Sequence, residues 1–166
     1  MSNISMTTSK RNAIVTVMLI SAFVSMLNQT ILNTALPAII KGLNITETTA
    51  QWLITGFMLV NGIMIPLTAF LMDKYSTRHL YIFSMAIFLI GSIVAAFSPT
   101  FTILMISRII QAIGAGILLP LMQFTVFTLF PAEQRGFAMG LAGVVVQSAP
   151  AIGPTLTGLL DRKSVV

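Results

Sequence analysis

Few residues in this 166-residue chain can do chemistry, and the least expected of them is Arg108. It stands in Ile106-Ser-Arg-Ile-Ile-Gln111, inside a long apolar run, with Gln111 three residues on and so on the same helical face. A guanidinium in such a place normally faces a water-filled cavity or a partner, because insertion at the centre of a bilayer costs roughly 2.5–3.5 kcal/mol. The other reading is snorkelling. Arg108 lies about seven residues into the run, ~10 Å at 1.5 Å per residue, from which a long side chain reaches an interface. A second polar group, Asn28, Gln29, Thr30 and Asn33, ends at Pro37. Gln29 and Asn33 share a face and Asn28 points elsewhere. These side chains suit substrate contact and interhelical hydrogen bonding equally.

Hydrolytic and redox chemistry are poorly supplied. There is no cysteine and a single histidine, and the four acids, Glu47, Asp73, Glu133 and Asp161, all fall in connections or the tail. Nothing forms a nucleophile–base pair or a metal site. The chain therefore reads as no enzyme, and no cofactor is expected.

The elements that must position these residues follow from composition. Hydrophobic residues make up 56% of the chain, charged residues 8%, and the mean hydropathy is +0.96. A soluble domain carries about 25% charged residues, so the partner of this surface is a lipid bilayer. A helical span takes about 20 apolar residues, and segments 12–40, 50–72, 80–97, 101–130 and 137–160 meet that description. The fold class is all-α, a polytopic transmembrane bundle of five helices. Its short connections force neighbours to run antiparallel. With the N-terminus inside, Lys10, Arg11, Lys74, Arg78 and Arg135 are cytoplasmic and only Lys41 lies in an outer connection, the terminal tail aside. That bias places a multi-pass protein in the cell membrane, N-terminus cytoplasmic. The first run is too long for a signal peptide and is followed by four more spans. The scattered basic residues form no nucleic-acid patch.

Small residues and prolines add a packing pattern. Gly114-Ala-Gly116 precedes Pro120 in the fourth span, and Gly136 and Gly140 stand four apart in the fifth. Further along, Ala149, Gly153 and Thr157 form one four-residue ladder, and Pro150, Pro154 and Gly158 the next. Such ladders let helix backbones approach, while the two prolines remove amide donors that neighbours or cavity water must replace. The tight turn Asp73-Lys-Tyr-Ser-Thr-Arg78-His79 is either a topological stop or a dock for helix ends, since Asp73 is attracted to a helix N-terminus.

Taken together, these segments resemble the drug–proton antiporters of the major facilitator superfamily, in particular the fourteen-span branch. The resemblance rests on Leu27-Asn-Gln-Thr-Ile-Leu-Asn-Thr-Ala-Leu-Pro37, Ala69-Phe-Leu-Met-Asp73-Lys-Tyr-Ser-Thr-Arg78, Ser107-Arg108-Ile-Ile-Gln111-Ala-Ile-Gly114-Ala-Gly116 and Pro150-Ala-Ile-Gly153-Pro154-Thr-Leu-Thr-Gly158, in that order along the chain. It implies that Arg108 takes part in proton transfer and lines a central cavity, with Gln111, Asn28, Gln29 and Asn33 beside it. It also implies that Asp73, Lys74 and Arg78 belong to an inner-face gate, and that Pro150, Gly153, Pro154 and Gly158 shape a bend tied to antiport. The departures are specific. Asn28 stands where many relatives carry an aspartate and cannot titrate. Ala69 and Ser76 replace glycines of the loop motif, Thr77 replaces a usual basic residue, and Thr157 replaces a glycine of the fifth-span motif.

The resemblance implies five spans of a six-helix N-terminal half, an incomplete bundle at 12–160 after a cytoplasmic N-terminus at 1–11. Export of hydrophobic or amphipathic drugs by proton antiport then belongs to a longer parent, which supplies the missing transporter half and handles the small-molecule substrate and protons. Alone, the chain should not transport. Two other readings stay open: an exporter of an anionic metabolite or lipid-like molecule, and a complete five-span scaffold or regulatory protein. The closing Asp161-Arg-Lys-Ser-Val-Val166 equals the translation of a common sequencing-adapter string, so 161–166 reads as a non-native tail. Genuine genomic codons there would remove that expectation.

Overall fold

The computed structural model describes the backbone of residues 8–164 and the side chains of residues 8–155. Gly158, the first seven residues and the packing of the 161–166 tail lie outside that description. Five helices follow one another: α1 (Thr8–Leu43), α2 (Glu47–Lys74), α3 (Thr77–Ala96), α4 (Phe101–Leu129) and α5 (Ala132–Ser164). All five are long and apolar enough to cross a membrane. Each matches one run read from the sequence, and α1, α2 and α5 extend a few residues further at both ends. The extensions are polar turns, which hydropathy does not count but backbone hydrogen bonding continues through.

Local chemistry sets the boundaries. Thr46 caps α2 by accepting from the Thr49 amide at 3.2 Å, and Thr100 caps α4 by accepting from the Ile103 amide at 3.4 Å. Both occupy orphan donors of the first turn. Asn44, just past α1, takes a left-handed φ of 51°, the conformation that lets a chain leave a helix and that asparagine tolerates. Pro131 closes α4, and its carbonyl accepts from the Gln134 and Arg135 amides at 3.0 and 3.1 Å as α5 begins.

α4 is the centre of the bundle. About half of its most apolar window (56%) is buried, against 22–28% for the other four helices. α3 and α2 pack along it, α1 crosses it, and α5 lies mainly against α1. Lipid tails are as apolar as the side chains, so close backbone approach and interhelical hydrogen bonds must hold such a bundle. Gly114 permits one approach: a Cβ there would sit 2.6 Å from the Ser84 carbonyl oxygen and 2.9 Å from the Phe88 amide of α3. Gly116 permits another, where a Cβ would sit 2.5 Å from Met64 Cβ of α2. At the same level Thr68 of α2 donates to the Met64 carbonyl at 2.6 Å and approaches the Gly116 carbonyl at 3.3 Å. Ser21 of α1 and Tyr81 of α3 are joined at 2.5 Å. The outward faces carry Leu59, Ile63, Phe83, Leu89, Phe137 and Val144, each at least half exposed, as a lipid-facing surface requires.

The ladder of Gly136 and Gly140 has a different outcome. Nothing among the described residues lies within 4 Å of a Cβ built at either. Spacing alone gave them the same standing as Gly114. The contrast makes a test. Gly114→Val should destabilise the purified bundle by about 1–3 kcal/mol through overpacking against backbone, whereas Gly140→Ala should stay within about 0.5 kcal/mol, both read from unfolding in mild detergent.

Candidate functional site

Arg108 lies two turns into α4 and is 1% exposed, the largest fully buried side chain among the described residues. It does not snorkel. One terminal nitrogen, Nη1, donates to Gln111 Oε1 at 2.9 Å on its own helix and to Asn28 Oδ1 of α1 at 3.3 Å. The guanidinium carbon stacks 4.3 Å from the ring centroid of Phe57 on α2, a cation–π contact between two desolvated groups. Gln111 passes the polar contact on, donating from Nε2 to Ser92 Oγ of α3 at 3.1 Å, and Ser92 in turn donates to the Phe88 carbonyl at 2.8 Å. Four helices thus meet on one cation.

No carboxylate among the described side chains takes part. Asn28 and Gln111 are neutral acceptors, and the acids with described side chains, Glu47, Asp73 and Glu133, are all exposed at helix ends. The Nε and Nη2 groups are buried without an acceptor among the described residues. These two nitrogens form one edge of the guanidinium fork, the edge that takes a carboxylate or another planar acceptor with two parallel hydrogen bonds. An edge left empty in a buried place is costly, and it is the site's main unmet chemical demand.

The remaining residues of the first-span cluster separate. Gln29 turns from Arg108 to a small cavity of about 20 Å³, shared with Ser25 of α1 and Asn61 of α2. Asn33 is exposed. Thr30 meets α5, where a Cβ on Gly153 would lie 2.6 Å from Thr30 Cγ2. Gly153 is therefore a point of close approach between α5 and α1, and Ala149, one turn earlier, is fully buried on that face. Pro150 and Pro154 are exposed on the other side of α5.

The residues of the expected gate stand apart from this cluster. Asp73, Lys74 and Arg78 are exposed at the α2–α3 turn, and no ion pair joins them among the described residues. Lys74 Nζ rests 4.5 Å from the Phe70 ring. Arg78 lies at the edge of a larger space of about 640 Å³ bounded by the start of α1, the start of α3 and the end of α4. Although it is by far the larger cavity, its lining includes none of the Arg108 cluster, and the chemistry is at the other end of the bundle. Other cationic residues at this end also meet aromatics: Arg11 stacks 4.4 Å from the Phe130 ring, and Arg135 lies 6.0 Å from the Phe127 ring while its Nε donates to the Phe130 backbone carbonyl at 3.0 Å.

Sequence reasoning missed two participants, Phe57 and Ser92, and gave a third, Asn61, little weight. Phe57 carries no mark that separates it from other span phenylalanines. Ser92 is one serine in an apolar helix. Asn61 was visible as a polar residue in the second span, but its convergence with Gln29 needed the packing of α1 against α2.

These five helices packed around a buried arginine belong to a membrane protein family: the chain is a member of the Major Facilitator Superfamily, which it matches over residues 18–164. Among curated relatives it is 55% identical over 148 residues to an uncharacterised MFS-type transporter, YcnB, of Bacillus subtilis, covering 89% of this chain and 31% of that protein. It is 45% identical over 143 residues to the lincomycin resistance protein LmrB of the same organism, covering 86% of this chain and 30% of LmrB. With the probable multidrug resistance protein EmrY of Escherichia coli it shares 34% identity over 141 residues, 85% of this chain and 28% of EmrY. The chain thus spans less than a third of the length of the relatives it matches.

The asymmetry between losing the cation and stranding it is measurable. Gln111→Leu removes the better acceptor and should cost about 1.5–3 kcal/mol. Arg108→Met fills similar volume without the charge and should be near neutral or stabilising. In the double variant the Gln111→Leu penalty should largely vanish, as a double-mutant cycle on detergent unfolding would read.

Proposed function

We propose that this bundle forms the opening part of an exporter of hydrophobic or amphipathic drugs driven by proton antiport, and that the activity belongs to a longer protein. The observation that carries the proposal is Arg108, a desolvated cation with one empty hydrogen-bonding edge at the crossing of α1, α2 and α4. A buried charge within a membrane span marks an ion or substrate pathway by default. The names of LmrB and EmrY, which refer to lincomycin and multidrug resistance, support drugs as the cargo.

In this reading the proton-carrying carboxylate comes from outside the described spans, because Asn28, hydrogen-bonded to Arg108, cannot titrate. Protonation of that acid releases it from the guanidinium edge, and loss of the proton draws the carboxylate back. The positive charge thus biases a two-state element, as ligand coupling requires. Alternating access then rocks this bundle against a second one. Asp73, Lys74 and Arg78 act at the inner face, and the bias of basic residues supports the N-terminal end lying on the same side. The close approach at Gly153, with Pro150 and Pro154 beside it, sets the bend of α5 against α1. The membrane is the cell membrane, and the segment 12–160 is the transport bundle.

An unneutralised cation also supports a second cargo class, an anionic metabolite. Uptake into everted vesicles bearing the full-length parent decides between them. Lincomycin accumulation abolished by a protonophore supports drug–proton antiport, whereas protonophore-insensitive accumulation contradicts it. Arg108→Lys should lower that accumulation by about ten- to a hundredfold, because an ammonium cannot keep both acceptors and the Phe57 stack.

A further inference from the structure

The small cavity beside the arginine has its own chemistry. It is bounded by α1, α2 and α4 and holds about 20 Å³, room for one water-sized group. Three neutral polar side chains converge on it: Ser25 and Gln29, one turn apart on α1, and Asn61 on α2. Ser25 is only 9% exposed, and none of the three has a hydrogen-bond partner among the described residues. Elsewhere in the spans a serine or threonine usually closes on a carbonyl of its own helix, as Ser92, Thr30, Thr68 and Thr125 do. Ser25 does not. Together the three supply one hydroxyl, which donates and accepts, and two amides with a donor and an acceptor each. The rest of the wall is apolar, with Phe57, Ala115 and Leu118 among its residues.

From this geometry we infer a binding subsite for a single uncharged hydrogen-bonding group, a hydroxyl or an amide, borne by an otherwise apolar substrate. Polar groups left unpaired in a membrane interior are unfavourable until a ligand satisfies them, and that demand is what gives a site discrimination against analogues lacking the group. Charge narrows the class further. Phe57 belongs both to this wall and to the stack under Arg108, so the guanidinium stands next to the cavity, and no carboxylate among its lining residues offsets it. When the coupling acid is protonated and off the guanidinium edge, an ammonium group there meets repulsion that none of the described lining residues neutralises. The apolar wall excludes a fully hydrated ion as well. A neutral donor–acceptor group on a hydrophobic frame fits all of these constraints.

The inference deepens the exporter reading and rests on it. Its test uses the full-length parent and two probes: lincomycin, rich in hydroxyls and carrying an amide, and tetraphenylphosphonium, which has no hydrogen-bonding group. Asn61→Leu and Ser25→Ala should each reduce lincomycin export at least about tenfold, a loss equivalent to one hydrogen bond, while tetraphenylphosphonium export stays within about twofold. Asn61→Ser and Ser25→Thr keep a donor and an acceptor and should restore much of the lincomycin export. Equal loss of both probes in every variant would make the three residues structural and overturn the inference. Unchanged lincomycin export in Asn61→Leu would overturn it too, leaving the cavity to an ordered water. If the unmodified parent exported neither probe, the exporter reading itself would fail and take this one with it.

Discussion

The burial of one positive charge among neutral groups constrains everything else in this bundle. Arg108 is withdrawn from both water and lipid, yet its partners are two amide oxygens and the face of a phenylalanine ring. Each is weak compared with a carboxylate, so the cation is held only if α1, α2 and α4 keep their positions together. Gln111 extends the dependence to α3 through Ser92. A single helix could not satisfy this side chain, and no pair of helices here does so. The polar centre therefore specifies a particular arrangement of four helices rather than merely a cluster of them.

Close packing supplies what the polar centre needs. α4 is the most buried helix, and its two glycines turn toward different neighbours, Gly114 to α3 and Gly116 to α2. With the backbones this near, dispersion and short hydrogen bonds replace the hydrophobic drive that lipid does not provide between helices. α5 uses Gly153 and Ala149 against α1 in the same manner. The empty edge of Arg108 and the unpartnered trio at Ser25, Gln29 and Asn61 lie within this tightly packed frame. Rigid surroundings with unmet polar demand are the setting in which differential binding can bias a conformational equilibrium.

Much of this is legible in the sequence. The five spans follow from apolar run length, and their helical nature is obligatory, since backbone amides in lipid have no partner outside the chain. The placement of Arg108 and Gln111 on one face follows from helical period. The small residues at Gly114, Gly116 and Gly153 could be singled out as packing sites, but so could Gly136 and Gly140, which meet nothing in the described bundle. In the first-span cluster the helical period sets Asn28 apart from Gln29 and Asn33, which it puts on one face; Asn33 is nonetheless exposed. In the bundle the cluster serves three ends, with Asn28 on the arginine, Gln29 on the small cavity and Thr30 against α5.

What the sequence by itself determined is the class of environment and the local geometry: a lipid-embedded chain of five helices, a lone intramembrane cation, and no acid within reach along the same helix. Those properties depend on composition and on periods of three to four residues, which a linear string carries in full. Only the tertiary structure decided which side chains answer that cation. Asn28 and Arg108 are 80 residues apart in sequence, and their contact depends on where α1 crosses α4. Phe57 and Asn61 enter because α2 packs at the same level. Crossing points are set by the fit of whole helix surfaces, and no single residue spells them out. For that reason the arginine first recognised as a charge in the wrong place became, in the folded bundle, the joint on which four helices meet.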